Sequence, residues 1–324
     1  MNTDLRIIYM GTSGFAVAPM ETLIQNGYEI SAVVTSPDKP SGRGLKLLHS
    51  PVYIYAKEKN LRIFQPENLK DEKFIDELSK INPQLQIVVA FRMLPEKVWK
   101  LPEYGTINLH ASLLPQYRGA APIHRAIMAG ETKTGVTTFI INENIDTGNI
   151  LMQQEMPVYP DETAGELHGR LMLAGAELVL KTVNDIKKCC RNEISQKTLI
   201  SEKTVLKTAP KIFKEDCLIR WNAGIDSVYN HIRGLSPYPA ATTELISPES
   251  KPYYIKVFSC SKQTEKHSFE TGKLFTDGRT HLSIAVTDGF IVLEEIQLMS
   301  KKKMLIHEFL RGFPMNEHWS IKLV

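Results

Sequence analysis

In the run Ile107-Asn-Leu-His110 a carboxamide and an imidazole stand two positions apart. Side chains alternate along an extended strand, so Asn108 and His110 fall on one face. Two donors aimed at one point are what an acyl transfer through an oxyanion needs. Downstream, Asn144-Ile-Asp146-Thr-Gly148 places a carboxylate in a loop between two expected strands. From there Asp146 could bond the imidazole, fix its tautomer and favour its charged form. Spacing alone leaves a second reading open, in which His110 is an ordinary strand histidine. After His110 the strand breaks at Ser112–Pro115. Small residues then follow Arg118-Gly119, with Pro122 at a helix start.

Elements that would position these residues are legible from periodicity. Leu5–Met10, Ile30–Thr35 and Leu85–Ala90 are apolar runs, as strands buried on both faces would be. Thr106–Leu109, Gly135–Ile141 and Ile150–Pro157 read as further strands, the last two more polar. Helices are expected over Phe15–Gln25, Lys73–Ile81, Ala121–Ala129 and Thr163–Lys188. This alternation predicts an α/β fold with a doubly wound parallel sheet. Cys190–Pro210 is polar and aperiodic and reads as a linker with at most short strands. Beyond it a helix is expected over Ile225–Leu235. Short strands follow at Ala241–Ile246, Tyr253–Phe258, Gly272–Phe275, Leu282–Val286 and Gly289–Leu298. With Asp277-Gly278 and Asp288-Gly289 at their turns, they suggest a small antiparallel barrel. A terminal helix is expected over Met304–Arg311.

The 324 residues suggest about two domains. No run is apolar enough for a membrane span, and the start MNTDLRIIYMG lacks the basic head of a secretory signal. Four cysteines show no CxxC spacing and no histidine partners. Neither a metal site nor a disulfide framework is expected, and the compartment expected is a reducing cytoplasm. Up to Lys187 there are 19 basic and 21 acidic residues; from Lys188 onward there are 20 and 15. A basic back half suits an anionic macromolecule, though an excess this small also arises as ordinary surface variation. Gly11-Thr-Ser-Gly14 follows a strand and opens a helix, but Ser13 and Ala16 stand where the dinucleotide fingerprint needs glycine. It is either a tight turn or a helix N-terminus facing a substrate; it is not a nicotinamide site. The segment SPDKPSGRGLKLLHS, Ser36–Ser50, carries Lys39, Arg43 and Lys46 around a Gly-Arg-Gly core. That composition fits a loop that orders against phosphates, or a solvated mobile loop.

Asn108-x-His110, the SLLPQYRG of Ser112–Gly119 and Asp146-Thr-Gly148 together resemble the signature of the 10-formyltetrahydrofolate-dependent formyltransferases. The match runs without a gap through Gly119 and extends over nearly the whole chain. It implies a Rossmann-like catalytic domain over residues 1–189, a linker over 190–208, and an OB-like barrel over 209–324. It implies Asn108, His110 and Asp146 as the catalytic trio, 10-formyltetrahydrofolate as formyl donor, and no metal. Ser112, Leu113, Leu114 and Pro115 match the folate-contacting loop. Phe91, Arg92, Met93, Leu94, Asn142 and Asn144 lie in segments matching the folate pocket. Phe91-Arg92 replaces a frequent Tyr-Gly pair and puts a cation near that pocket. Within the family the chain is most similar to the branch that formylates charged initiator tRNA. There a Gly-Arg-Gly loop wedges into the acceptor stem, with Arg43 as the matching arginine and Lys39 and Lys46 beside it. The alternative is an amino-sugar nucleotide formyltransferase using the same donor. A monomer with no membrane contact is expected.

Overall fold

The computed structural model describes residues 5–41, 46–316 and 318–323. The chain divides into two units. One comprises Met1–Gly119, Thr134–Pro157 and His168–Thr208; the other comprises Ala120–Lys133, Val158–Leu167 and Ala209–Val324.

The first unit is built on a seven-stranded sheet. Ile7–Gly11 lies between Ile30–Val34 and Leu85–Val89, in parallel with both. Thr106–His110 continues the parallel set beside Leu85–Val89, and Ile63–Phe64 completes the other flank. The strand order reverses at Ile7–Gly11 and Leu85–Val89. That is where open α/β sheets leave a crevice beyond their carboxyl ends. Both strands are wholly buried, in keeping with their unbroken apolar runs. The expectation of a parallel sheet holds for these five strands. Lys133–Ile140, however, runs antiparallel to Thr106–His110, pairing Ile107 with Ile140 and His110 with Thr137. The reason is connectivity: after the helix Pro122–Met128 the chain returns beside Thr106–His110 rather than crossing over, and Ile150–Pro157 forms the edge beyond it. Gly11 makes the first turn tight. A Cβ there would sit 2.6 Å from the Ala16 Cβ and 3.0 Å from the Val89 carbonyl oxygen.

Helix boundaries follow their caps. Ser50 accepts from the Tyr53 amide at 3.0 Å ahead of Pro51–Glu58, with Pro51 in the first turn. Asp71 accepts from the Lys73 amide at 3.0 Å and opens Glu72–Lys80. Thr163 and Glu166 form a reciprocal capping box at the head of Ala164–Lys187, where the Glu166 Oε2 accepts from the Thr163 amide at 2.8 Å. These hydrogen bonds, the Thr163 amide first, hold the Glu166 carboxyl below its ordinary range.

The second unit carries an antiparallel sheet in the order Leu274–Thr276, Leu282–Val286, Gly289–Leu298, Pro252–Gln263, Ala241–Ile246 and Ser320–Ile321, with Met304–Leu305 beside Gly289–Leu298. The third-last element read from the sequence as Tyr253–Phe258 is twice that length. Its register shifts around Val257, Ser259 and Cys260 break the period-two pattern on which a sequence reading depends. The short strand Ser320–Ile321 had no signal of its own, and the terminal helix is Ile306–Gly312 after a two-residue strand. Trp221 is fully buried in the core under this sheet, and its Nε1–H donates to the Thr243 Oγ1 at 2.9 Å. Trp221→Ala is expected to cost about 3–5 kcal/mol of stability. Urea denaturation followed in the second unit checks this, and an unchanged midpoint would remove Trp221 from the determinants of that core.

Candidate active site

Asn108 lies at the middle and His110 at the carboxyl end of the strand Thr106–His110 in the parallel set. Asn108 is half-buried, and its carboxamide makes no hydrogen bond among the described residues. His110 is buried, and its ring is oriented from a distance of seven residues. The Tyr117 carbonyl oxygen lies 2.9 Å from Nε2. A carbonyl can only accept, so Nε2 carries a hydrogen and donates it. Nδ1 then faces the Asp146 Oδ2 at 3.8 Å, an ion-pair distance too long for a direct hydrogen bond. That carboxylate oxygen instead accepts from the Gly119 amide at 2.9 Å. The expected contact between Asp146 and the imidazole is therefore one of proximity, and the tautomer is set by Tyr117. A group seated beside both Nδ1 and Oδ2 would be within hydrogen-bond reach of each.

Several backbones here occupy the left-handed region. Asp146 has φ 53°, Tyr117 has φ 58°, and Ala90, at the end of Leu85–Val89, has φ 48°. Non-glycine residues hold such angles where the surroundings dictate them, and such positions gather at functional sites. Gly148 is packed against the backbone: a Cβ there would lie 1.6 Å from the Ile140 carbonyl oxygen.

The loop after His110 is fixed from behind. Ser112 is fully buried; its Oγ donates to the Gln116 carbonyl at 2.7 Å. The Thr137 Oγ1 donates to the Ser112 carbonyl at 2.6 Å, and the Leu114 amide donates to Thr137 at 3.2 Å. Gln153 reaches the Leu114 carbonyl at 2.9 Å. Ser112, Leu114 and Pro115 thus point inward, and Leu113 is the half-exposed side chain of the four. Thr137 and Gln153 had no local signal in the sequence, because strand pairing alone brings them here.

Phe91, Leu94 and Ile141 share one apolar cluster, which sets the loop after Leu85–Val89 beside the one that leads to Asp146. Met93 and Ile145 are 74% and 62% exposed on these loops. Asn142 accepts from the Asn144 amide and the Thr147 Oγ1, both at 3.0 Å, so it shapes the loop; Asn144 is exposed. Arg92 donates to the Glu67 carbonyl at 3.0 Å and to the Pro66 carbonyl at 2.7 Å, and its guanidinium lies 5.4 Å from the Phe91 ring centre. The cation therefore braces a neighbouring loop.

Lys39–Ser41 and Lys46–Leu48 form a short antiparallel hairpin, where the sequence reading had no regular structure. Arg43 lies outside the described residues, as do the side chains of Lys39 and Lys46. At the base of the hairpin Asp38 accepts from Gln65 Nε2 at 2.8 Å and pairs with His49 at 2.8 Å; these contacts, Gln65 first, hold its carboxyl below the ordinary range. Among the described residues no cluster of His, Cys, Asp or Glu could hold a metal, and no helix is long and apolar enough to cross a membrane.

Residues 5–183 match the formyl transferase family, and residues 211–314 match the formyl transferase C-terminal domain. The chain belongs to the formyl transferase family. The chain is 48% identical over 320 residues to the methionyl-tRNA formyltransferase of Bacteroides thetaiotaomicron, covering 98% of each. It is 44% identical over 321 residues to that of Porphyromonas gingivalis, covering 98% of this chain and 99% of the relative. Among solved structures it resembles an N-formyltransferase from Helicobacter canadensis in complex with folinic acid and dTDP-3-aminofucose. That likeness has a TM-score of 0.63 at 18% identity, over 93% of this chain and 100% of the other. It also resembles HypX from Aquifex aeolicus in complex with tetrahydrofolic acid, with a TM-score of 0.64 at 17% identity, over 96% of this chain and 48% of the other. At these identities the structural likeness speaks to the fold.

Proposed function

We propose that this protein transfers the formyl group of 10-formyltetrahydrofolate to the α-amino group of methionyl initiator tRNA, yielding the formylated tRNA used to begin translation. The observation that carries the reading is the near-half identity to methionyl-tRNA formyltransferases from end to end. The amino-sugar alternative is met only among distant structural neighbours.

10-Formyltetrahydrofolate, when bound, supplies a formyl group activated on nitrogen. Met93 and Ile145, exposed on the loops after Leu85–Val89 and before Gly148, would flank it. Asn108 and His110 are the donors for negative charge developing on the formyl oxygen. Asn108 is ready for this, since its carboxamide makes no hydrogen bond among the described residues. His110 already donates its Nε2–H to Tyr117, so a second donation requires Nδ1 to carry a hydrogen as well. The donating form is therefore the imidazolium, with the Asp146 carboxylate 3.8 Å away as counter-charge. Asp146 also stands where it could order a water that carries off the proton lost by the amine.

We assign this chemistry to residues 1–189, joined by 190–208 to a tRNA-holding domain over 209–324. Arg43, Lys39 and Lys46 contact the acceptor end in this reading. One assay tests it: charged initiator tRNA and an amino-sugar nucleotide are offered in parallel with 10-formyltetrahydrofolate. Formyl transfer to methionyl-tRNA alone is expected, and transfer only to the sugar would sink the proposal.

A further inference from the structure

The segment read from sequence as a linker runs along the candidate active site. Nearly all of it is exposed, but Gln196 is buried, with only 2% of its surface exposed. A carboxamide that deep in a polar, surface-lying stretch is held by full use of its hydrogen-bonding groups. Its Nε2 donates to the Asp146 carbonyl at 2.9 Å and to the Gly148 carbonyl at 2.8 Å. Its Oε1 accepts from the Arg118 Nε at 3.1 Å and Nη2 at 2.7 Å. Arg118 is itself partly buried. That burial draws its guanidinium below the ordinary range, while nearby Asp146 opposes the shift.

The same stretch engages the other side of the site. The Lys207 amide donates to Gln116 Oε1 at 2.8 Å, and Gln116 Nε2 donates to the Val205 carbonyl at 3.1 Å. The Tyr117 amide donates to the Lys207 carbonyl at 2.7 Å. Tyr117 is the residue whose carbonyl orients His110. Ile194 and Ile150 exchange amide-to-carbonyl bonds of 2.8 Å and anchor the stretch at its start.

We propose that Gln196 is a positioning residue for Asp146, and that residues 194–207 act as a strap holding Asp146 and His110 in register. Asp146 sits at φ 53°, a conformation its own sequence does not favour. Two carbonyls captured by one carboxamide select that conformation from outside the loop. Arg118 keeps the carboxamide from flipping, because only Oε1 can face a guanidinium. The strap also explains why a buried glutamine occurs in a segment with no helical or strand periodicity.

This inference rests on the role given to Asp146 above. Its test uses the full-length protein with Gln196→Ala, Asp146→Asn and the double variant, each assayed for kcat and for KM toward both substrates. Gln196→Ala is expected to lower kcat at least about tenfold with both KM values within about twofold. The double variant is expected to be no slower than Asp146→Asn, because a residue acting through Asp146 has nothing left to position. Unchanged kcat in Gln196→Ala, or losses that multiply in the double variant, would overturn the proposal. If Asp146→Asn itself retains full turnover, the catalytic reading fails instead. Gln196→Glu is the second arm: it keeps the size and the Arg118 contact but cannot donate to the two carbonyls. It is expected to lose kcat as Gln196→Ala does. A wild-type kcat in Gln196→Glu, or failure of both variants to fold, would show that Gln196 serves general stability only.

Discussion

Alanine at His110 is expected to lower turnover at least about a hundredfold, and alanine at Asn108 or Asp146 by a similar factor. Each removes a group aimed at charge that exists only as the formyl group moves, so kcat should fall more than substrate affinity. Asn108→Ala is the cleanest of the three. Its carboxamide has no partner among the described residues, so nothing is left unpaired when it goes. His110→Ala also removes the hydrogen bond from Nε2 to the Tyr117 carbonyl, so it perturbs a buried contact as well as the chemistry. Melting curves should therefore accompany the kinetics. Combined variants are expected to lose little beyond the single ones, since the groups act as a unit. A folded His110→Ala protein with near-normal turnover would end the mechanism.

Gly148→Ala is expected to be nearly as damaging, without removing any polar group. The added methyl would lie 1.6 Å from the Ile140 carbonyl oxygen and 2.8 Å from its carbon. Backbone atoms cannot rotate aside, so the loop carrying Asp146 must move. Asp146 would lose its place opposite His110, and Gln196 would lose one of its two carbonyl acceptors. A displacement of about 1 Å at reacting groups costs on the order of a hundredfold in rate. The comparison that checks this is Gly148→Ala against Gly14→Ala, where a Cβ would meet nothing within 4 Å. Equal activities would show that the loop tolerates the shift.

Much of this site was legible in the sequence because its parts are local. The period-two placement of Asn108 and His110 needs only a strand, and the buried strands beside them declare themselves as unbroken apolar runs. The break at Ser112–Pro115 and the loop around Asp146 are likewise written in residues next to one another. For the hairpin after Asp38, spacing carried the basic composition but not the pairing of Lys39–Ser41 with Lys46–Leu48. Strands that short have no period to read.

Tertiary structure alone decided how the chemical groups are held. Tyr117 orients His110, Gly119 takes the Asp146 carboxylate, and Thr137 and Gln153 pin the loop of Ser112–Pro115. Arg92 braces the carbonyls of Pro66 and Glu67, a contact that its position in the sequence does not announce. Gln196 reaches Asp146 across 50 residues from a stretch whose polarity reads as linker. Side-chain type and spacing determine which face a residue can occupy, and so which chemistry it can enter. Which of many equivalent carbonyls and amides it meets is set by where distant segments close, and amides and carbonyls are the same at every position along the chain.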